Sequence, residues 1–191
     1  MTAGPSHPPL AAPSPWVARF ADLVANGGTV LDYACGSGRH ARWFAARGHP
    51  VVAVDRDATA LAALGAVAGV STVQADLEDG PWPFDQGRYA AVVMTNYLFR
   101  PRFERMCDLV ADGGVLLAET FMVGNERFGK PSNPAFLLKP GELIERTAGE
   151  FSLVAFEQGK VASPKPAVLQ RICAIRGSAM GTLPQIAGGE T

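Results

Sequence analysis

Val30-Leu31-Asp32-Tyr33-Ala34-Cys35-Gly36-Ser37-Gly38-Arg39 is an apolar run that carries an acid, turns through a glycine-containing loop and opens into a helix. Gly36 and Gly38 let the backbone turn sharply and come close to a ligand. A helix that starts just after them presents unpaired amide groups and the positive end of its dipole, which suit an anionic or polar group. The alternative is that the glycines only make a tight turn.

Outward from this run, residues 29–33, 50–55, 70–75, 89–95 and 114–119 read as strands, with helices at 39–47, 58–64 and 102–109. Such alternation implies crossovers and a parallel sheet whose apolar, β-branched strands are buried on both faces. Upstream, Ser14 can cap a helix carrying Trp16, Val17, Phe20, Leu23 and Val24, and Asn26-Gly27-Gly28 supplies a stop. Downstream, 151–158 and 167–176 read as two more strands, and Ser163-Pro164-Lys165-Pro166 predicts an antiparallel hairpin between them.

With 191 residues, 48% of them hydrophobic, the chain can bury one substantial core but not two full domains with linkers. We expect an irregular segment at 1–13, one domain at 14–176 and a flexible tail at 177–191. The net charge is -1 and the basic residues are scattered along the chain, so no nucleic-acid partner is expected. Cys35, Cys107 and Cys173 have no metal-ligand spacing, and their odd number argues against a disulfide framework, so no metal and a reducing, cytoplasmic compartment are expected. The first eighteen residues lack Lys and Arg and are rich in Pro, unlike a signal peptide. The uncharged run 58–75 is interrupted by Gly65, Gly69, Ser71, Thr72 and Gln74, which fits a helix, a turn and a strand better than a membrane span.

Ligands of open parallel sheets bind beyond the carboxyl ends of the strands, where the strand order reverses. Asp55 ends the second strand, a position from which a carboxylate can accept hydrogen bonds from both hydroxyls of a ribose. Its alternative role is to cap the next helix, which Asp57 can also do. Asp76 ends the third strand and can accept from an exocyclic amine such as that of adenine, or simply form a turn.

Together, the 30–39 run, Val51-Val52-Ala53-Val54-Asp55 and Gln74-Ala75-Asp76 resemble the first three motifs of class I, Rossmann-like S-adenosylmethionine-dependent methyltransferases. Asp112-Gly113-Gly114-Val115-Leu116 resembles the family's turn before the fifth strand, and the likeness runs from about 29 to 176. Within the family the small tellurite-resistance and ubiquinone-type branches are the most similar. The resemblance implies an α/β fold: a doubly wound, mostly parallel seven-stranded sheet with helices on both faces and a C-terminal antiparallel hairpin. It also implies S-adenosyl-L-methionine as cofactor. Asp32 and the backbone of Ala34, Cys35, Gly36 and Gly38 then hold the methionine moiety, with Arg39 as the anion partner. Asp55 holds the ribose, Asp76 and Leu77 the adenine, and Asn96, just after the fourth strand, meets the cofactor's amino group. One departure is visible: Ala34 replaces the family's first glycine, a mild change at negative φ and a strained one at positive φ.

A sulfonium methyl is already activated, so in-line transfer to a small-molecule acceptor depends chiefly on orientation, which can contribute about 7–11 kcal/mol. Tyr97, Glu119 and Glu126 are the candidates to deprotonate or orient that acceptor. The Gly- and Pro-punctuated segment 122–134 is a candidate substrate lid or, alternatively, a solvated surface loop. Trp16 reads as a packing residue, and His40 as either a partner of the cofactor carboxylate or a surface residue. Two rivals stand beside this reading. Gly36-Ser37-Gly38-Arg39-His40-Ala41 also fits the loose dinucleotide pattern of an NAD(P)-dependent oxidoreductase, although the chain is short for a second, substrate-binding domain. The other rival is a non-catalytic cofactor-binding module on the same fold. Thr95-Asn96-Tyr97-Leu98 lacks the Asn-Pro-Pro-aromatic run of adenine methylation, which favours a small-molecule acceptor.

Overall fold

The computed structural model describes residues 12–181, 183 and 184. Of the expected irregular segment 1–13 and tail 177–191, residues 1–11, 182 and 185–191 lie outside the described residues. Seven strands, β1 (Val30–Tyr33), β2 (Val51–Asp55), β3 (Val70–Gln74), β4 (Tyr89–Thr95), β5 (Val110–Phe121), β6 (Phe151–Val161) and β7 (Ala167–Arg176), form one sheet in the order β3-β2-β1-β4-β5-β7-β6. The pairs from β3 to β5 are parallel, and β7 is antiparallel to both of its neighbours.

Alternation along each strand sorts the apolar side chains onto two faces. Leu31, Tyr33, Val92, Met94 and Leu116 point to one face, where α4 (Phe103–Cys107) and α5 (Glu142–Thr147) cover them with Phe103, Met106 and Leu143. Val30, Ala91, Val93, Val115 and Leu117 point to the other, under α1 (Pro15–Phe20), α2 (Arg39–Ala46) and α3 (Ala58–Ala62). Each large side chain buried this way contributes about 1.5–3 kcal/mol. The chain leaves β1 toward β2 and β3, then returns to place β4 on β1's other side. The crossovers therefore diverge at the carboxyl ends of β1 and β4 and leave a crevice there.

The first helix is shorter than the periodicity predicts. Ser14 caps it by accepting from the Trp16 amide, but after Phe20 the chain tightens into a 3-10 turn at Ala21–Leu23. Trp16 is a core residue, 2% exposed, and its indole donates to the Ile172 carbonyl at 3.1 Å. Strand β3 is not buried on both faces, because the strand order makes it an edge. Helix α5 has no counterpart in the sequence reading. Its N-terminus carries Gly141 in the left-handed region and no side-chain cap, so the usual start signal is missing.

Tertiary contacts supply what that signal does not. The fully buried Gln170 accepts from the Leu143 amide and donates to the Lys139 carbonyl, while Arg100 and Arg146 flank the Glu142 carboxylate. These partners hold Glu142 down to about 2 against the burial that opposes its ionisation. Among the described residues no helix is long and apolar enough to cross a membrane.

Replacing Trp16 by Phe keeps most of the packing and removes the indole donor. We expect a loss of about 1–2 kcal/mol in urea unfolding, with an unchanged denaturant slope.

Candidate cofactor cleft

The turn from β1 into α2 is fastened by two carboxylates. Asp32, 2% exposed, sits on the α2 face of β1, and its Oδ2 accepts from the Ala41 amide at 2.9 Å. Asp55, at the end of β2, accepts the Gly36 amide on Oδ2 at 2.8 Å and the Asp57 amide on Oδ1 at 3.0 Å. Asp57 is the residue that caps α3, by accepting from Thr59 and Ala60, so the helix-capping alternative for Asp55 falls to its neighbour. Between the two carboxylates the Cys35 amide donates to the Val54 carbonyl and the Gly38 amide to the Cys35 carbonyl.

Gly38 has φ +73, and a Cβ there would lie 2.4 Å from the Leu64 side chain, so this position admits no side chain without repacking. Ala34 has φ +56. The family's first glycine is thus replaced at a left-handed position, where an L side chain costs about 1–2 kcal/mol. Asn96, at the end of β4, is the other left-handed non-glycine residue among those described, with φ +55, a conformation Asn tolerates better. The two face each other across the β1–β4 crevice, and strained backbone of this kind concentrates at ligand sites.

A cleft of about 290 Å³ opens at that crevice, lined by Ala34, Asp55, Arg56, Ala75, Asp76, Leu77, Glu78, Asn96 and Tyr97. Its volume is close to the lower end of the usual range for ligand sites. Asp76 is exposed, and its Oδ1 accepts from the Glu78 and Asp79 amides, which lower its pKa and leave Oδ2 unengaged. Asp76 therefore forms the turn considered as its alternative role and still presents an acceptor to the cleft. Leu77 is buried beside it.

The Tyr97 ring packs edge-on against Tyr33, with centroids 5.7 Å apart, and its hydroxyl is buried without a hydrogen-bond partner. Burial first, then Tyr33, Glu78 and Asp76, push its ionisation well above the ordinary phenol range. At neutral pH this hydroxyl is a donor.

The cleft thus brings together Ala34, Asp55, Asp76, Leu77, Asn96 and Tyr97. Asp32, Cys35, Gly36, Gly38 and Arg39 form the loop and helix start behind it. Arg39 is half-buried, and burial lowers its pKa against the opposing pull of Glu119 and Asp32. Glu119 and Glu126 are off the cleft wall. Glu119 is 6% exposed, with Oε2 2.6 Å from the Arg171 guanidinium on β7, and Glu126 accepts from the Gly124 amide in the loop after β5.

His40 is neither a cofactor partner nor a surface residue. It is 1% exposed, accepts from the Ser14 amide on Nε2, and places Nδ1 3.9 Å from Asp32 Oδ1. Burial lowers its pKa to about 3, so it is neutral. Arg56 and Glu78 line the cleft but were not singled out from the sequence, since their spacing is that of any solvated charge.

The antiparallel β7 between β5 and β6 sets this sheet apart from the 3-2-1-4-5-6 order of dinucleotide-binding enzymes, and with the acid-lined cleft it defines the class I, Rossmann-like methyltransferase fold. Residues 30–114 match the family model described as a methyltransferase domain.

Solved structures agree on the fold. TehB from Haemophilus influenzae superposes with a TM-score of 0.68 at 19% identity, over 84% of this chain and 61% of its own. An S-adenosylmethionine dependent methyltransferase from Mesorhizobium loti gives 0.62 at 18% identity, over 84% of this chain and 97% of its own. The 1,6-didemethyltoxoflavin-N1-methyltransferase of Burkholderia thailandensis, solved with 1,6-didemethyltoxoflavin and S-adenosylhomocysteine, gives 0.62 at 19% identity, over 85% of this chain and 76% of its own. The chain spans less than two thirds of the TehB chain, at 61%. A search of curated proteins found no match.

Two outcomes follow from this geometry. Ala34→Gly removes the left-handed strain, and we expect it to raise unfolding free energy by about 1 kcal/mol in denaturant titrations. Asp32→Asn keeps an acceptor for Ala41 and removes a buried charge. Burial raises the Asp32 pKa from 3.8 to about 7, so its ionisation costs folded-state stability as pH climbs through that window. The unfolding free energy of the variant should equal that of the parent near pH 4 and exceed it increasingly up to about pH 7, above which the difference levels off on the order of 4 kcal/mol.

Proposed function

We propose that the chain transfers the methyl group of S-adenosyl-L-methionine to a small-molecule acceptor by in-line displacement. The observation that carries this reading is the cleft at the β1–β4 crevice, in which two strand-end acids, a left-handed Ala34 and an orphaned Tyr97 hydroxyl converge. The residues fit the cofactor's chemistry. Asp55 keeps unused lone pairs on both oxygens for ribose hydroxyls, and Asp76 Oδ2 is available to the adenine amine beside the buried Leu77. Asp32, the Ala34, Cys35, Gly36 and Gly38 backbone, Arg39 and Asn96 surround the methionine end. When bound, the cofactor supplies a methyl group made electrophilic by its sulfonium.

The chain's part is to bind, orient and exclude water. Tyr97, a donor at neutral pH and close to Asp76 and Glu78, acts on the nucleobase side or orients a ligand acceptor atom. Glu119 and Glu126 act through the elements they fasten, Glu119 by tying β5 to β7 and Glu126 by closing the turn at Gly124. A reaction that needs only alignment requires no general base, and an acceptor with an accessible lone pair reacts directly. A reducing, cytoplasmic location suits the three buried free thiols.

A thermal-shift comparison separates the readings. S-adenosylmethionine and S-adenosylhomocysteine at about a hundred times Kd should each stabilise the protein by about 2.7 kcal/mol, and NAD should not. Asp55→Ala should abolish the shift. Stabilisation by NAD alone would assign the cleft to an oxidoreductase, and cofactor binding without transfer to any acceptor would leave a binding module.

A further inference from the structure

All the lysines of the chain, Lys130, Lys139, Lys160 and Lys165, fall between the end of β5 and the start of β7, and all are exposed. In the sequence they look scattered. The fold gathers them onto one edge. Met122 bridges to Leu138 at the end of β5, which brings Lys139 back to that point. Strand β6 runs parallel to β5, both being antiparallel to β7, so Lys160 and the hairpin residue Lys165 emerge at the same carboxyl edge as the cleft.

The loop that carries Lys130 and the exposed Arg127 is fixed to this hairpin. The Asn125 carboxamide, 2% exposed, accepts from the Val168 amide and donates to the Pro131 carbonyl, and Lys160 Nζ lies 5.0 Å from the centroid of the Phe128 ring. Among the described residues none of these five cations is in an ion pair. The loop's own carboxylate, Glu126, is engaged by the Gly124 amide. Against the one charge of Glu126, these five cations leave an excess of positive charge at the carboxyl edge of the sheet in a protein of net charge -1.

We propose that this edge is the outer half of the acceptor site and binds the anionic end, a phosphate or polycarboxylate group, of the small molecule whose other end takes the methyl group. The proposal rests on the methyltransferase reading and narrows its substrate class. Strand β6 is three strands from β4, and at about 4.8 Å per strand the anion sits about 14 Å from Asn96 and Tyr97. The acceptor is then elongated, with its reactive atom and its charge at opposite ends. Screening at physiological salt confines exposed charges to about 8 Å, so the edge selects by contact rather than by long-range steering. Its confinement to one side of a protein with net negative charge suits one anionic end better than a polynucleotide.

The test is calorimetric titration of the full chain with inorganic tripolyphosphate at low salt, with and without saturating S-adenosylhomocysteine. We expect saturable binding, weakened at least tenfold in the triple variant Lys130→Glu, Lys160→Glu and Lys165→Glu, and retained when the same positions become Arg. S-adenosylhomocysteine affinity should be the same in all three proteins. Absence of tripolyphosphate binding, or equal binding by the Glu variant, overturns the anion site. A single-stranded RNA oligonucleotide that binds at least tenfold more tightly than tripolyphosphate also overturns it, in favour of nucleic acid. Failure of the parent to bind S-adenosylhomocysteine strikes instead at the methyltransferase reading beneath it.

Discussion

The loop between β1 and α2 must turn a buried strand into a helix within five residues while leaving its backbone open to a ligand. Two carboxylates make this possible from opposite sides. Asp32 reaches forward to the Ala41 amide in the first turn of α2, and Asp55 reaches across from β2 to Gly36. The hydrogen bond from Gly36 exists only once β1 and β2 are paired in register, since the Asp55 carboxylate comes from the neighbouring strand's end, one residue beyond the Tyr33–Val54 pair. The cleft is therefore a consequence of sheet formation, and its geometry inherits the stiffness of the two strands. Loop strain at Ala34 is tolerated because both ends of the turn are held.

Burial sets the charge states around this turn. Asp32 and His40 are both nearly inaccessible, and burial disfavours the charged form of each, raising one pKa and lowering the other. The half-buried Arg39 offsets part of the cost for Asp32 and adds to the disfavour for His40. The Ser14 amide donates to the imidazole, so the start of α1 is fastened to the first turn of α2 through a neutral side chain. On the other side of the sheet the logic is reversed. Glu142 stays charged because two guanidiniums and the Lys139 amide surround it, and through Arg100 it fixes the chain that returns from the loop after β5.

The edge beyond β5 differs from the β1–β4 cleft in how it is built. The cofactor cleft is made from strand ends and tight turns, whereas the edge beyond β5 is a long connection pinned at Asn125, Met122 and Leu138 with exposed aromatic and basic residues between the pins. The fold permits a rigid cleft at strand ends beside a loop-built edge, because the sheet positions both without either bearing on the core.

Local signals were enough for much of this protein. Short apolar, β-branched runs, the Gly36 and Gly38 turn and the acids at 55 and 76 place all seven strands and most of the cleft, because each depends on residues adjacent in the chain. Helix α5, the edge status of β3, the burial of His40 and the pairing of Glu119 with Arg171 were settled only by tertiary structure, since each depends on what lies across the sheet. The same holds for the lysines. Spread over sequence they carry no pattern, and only the return of the chain at Leu138 and the turn of the β6–β7 hairpin bring their charges to one edge. Charge clustering is a property of distance in space, and that is set by the fold.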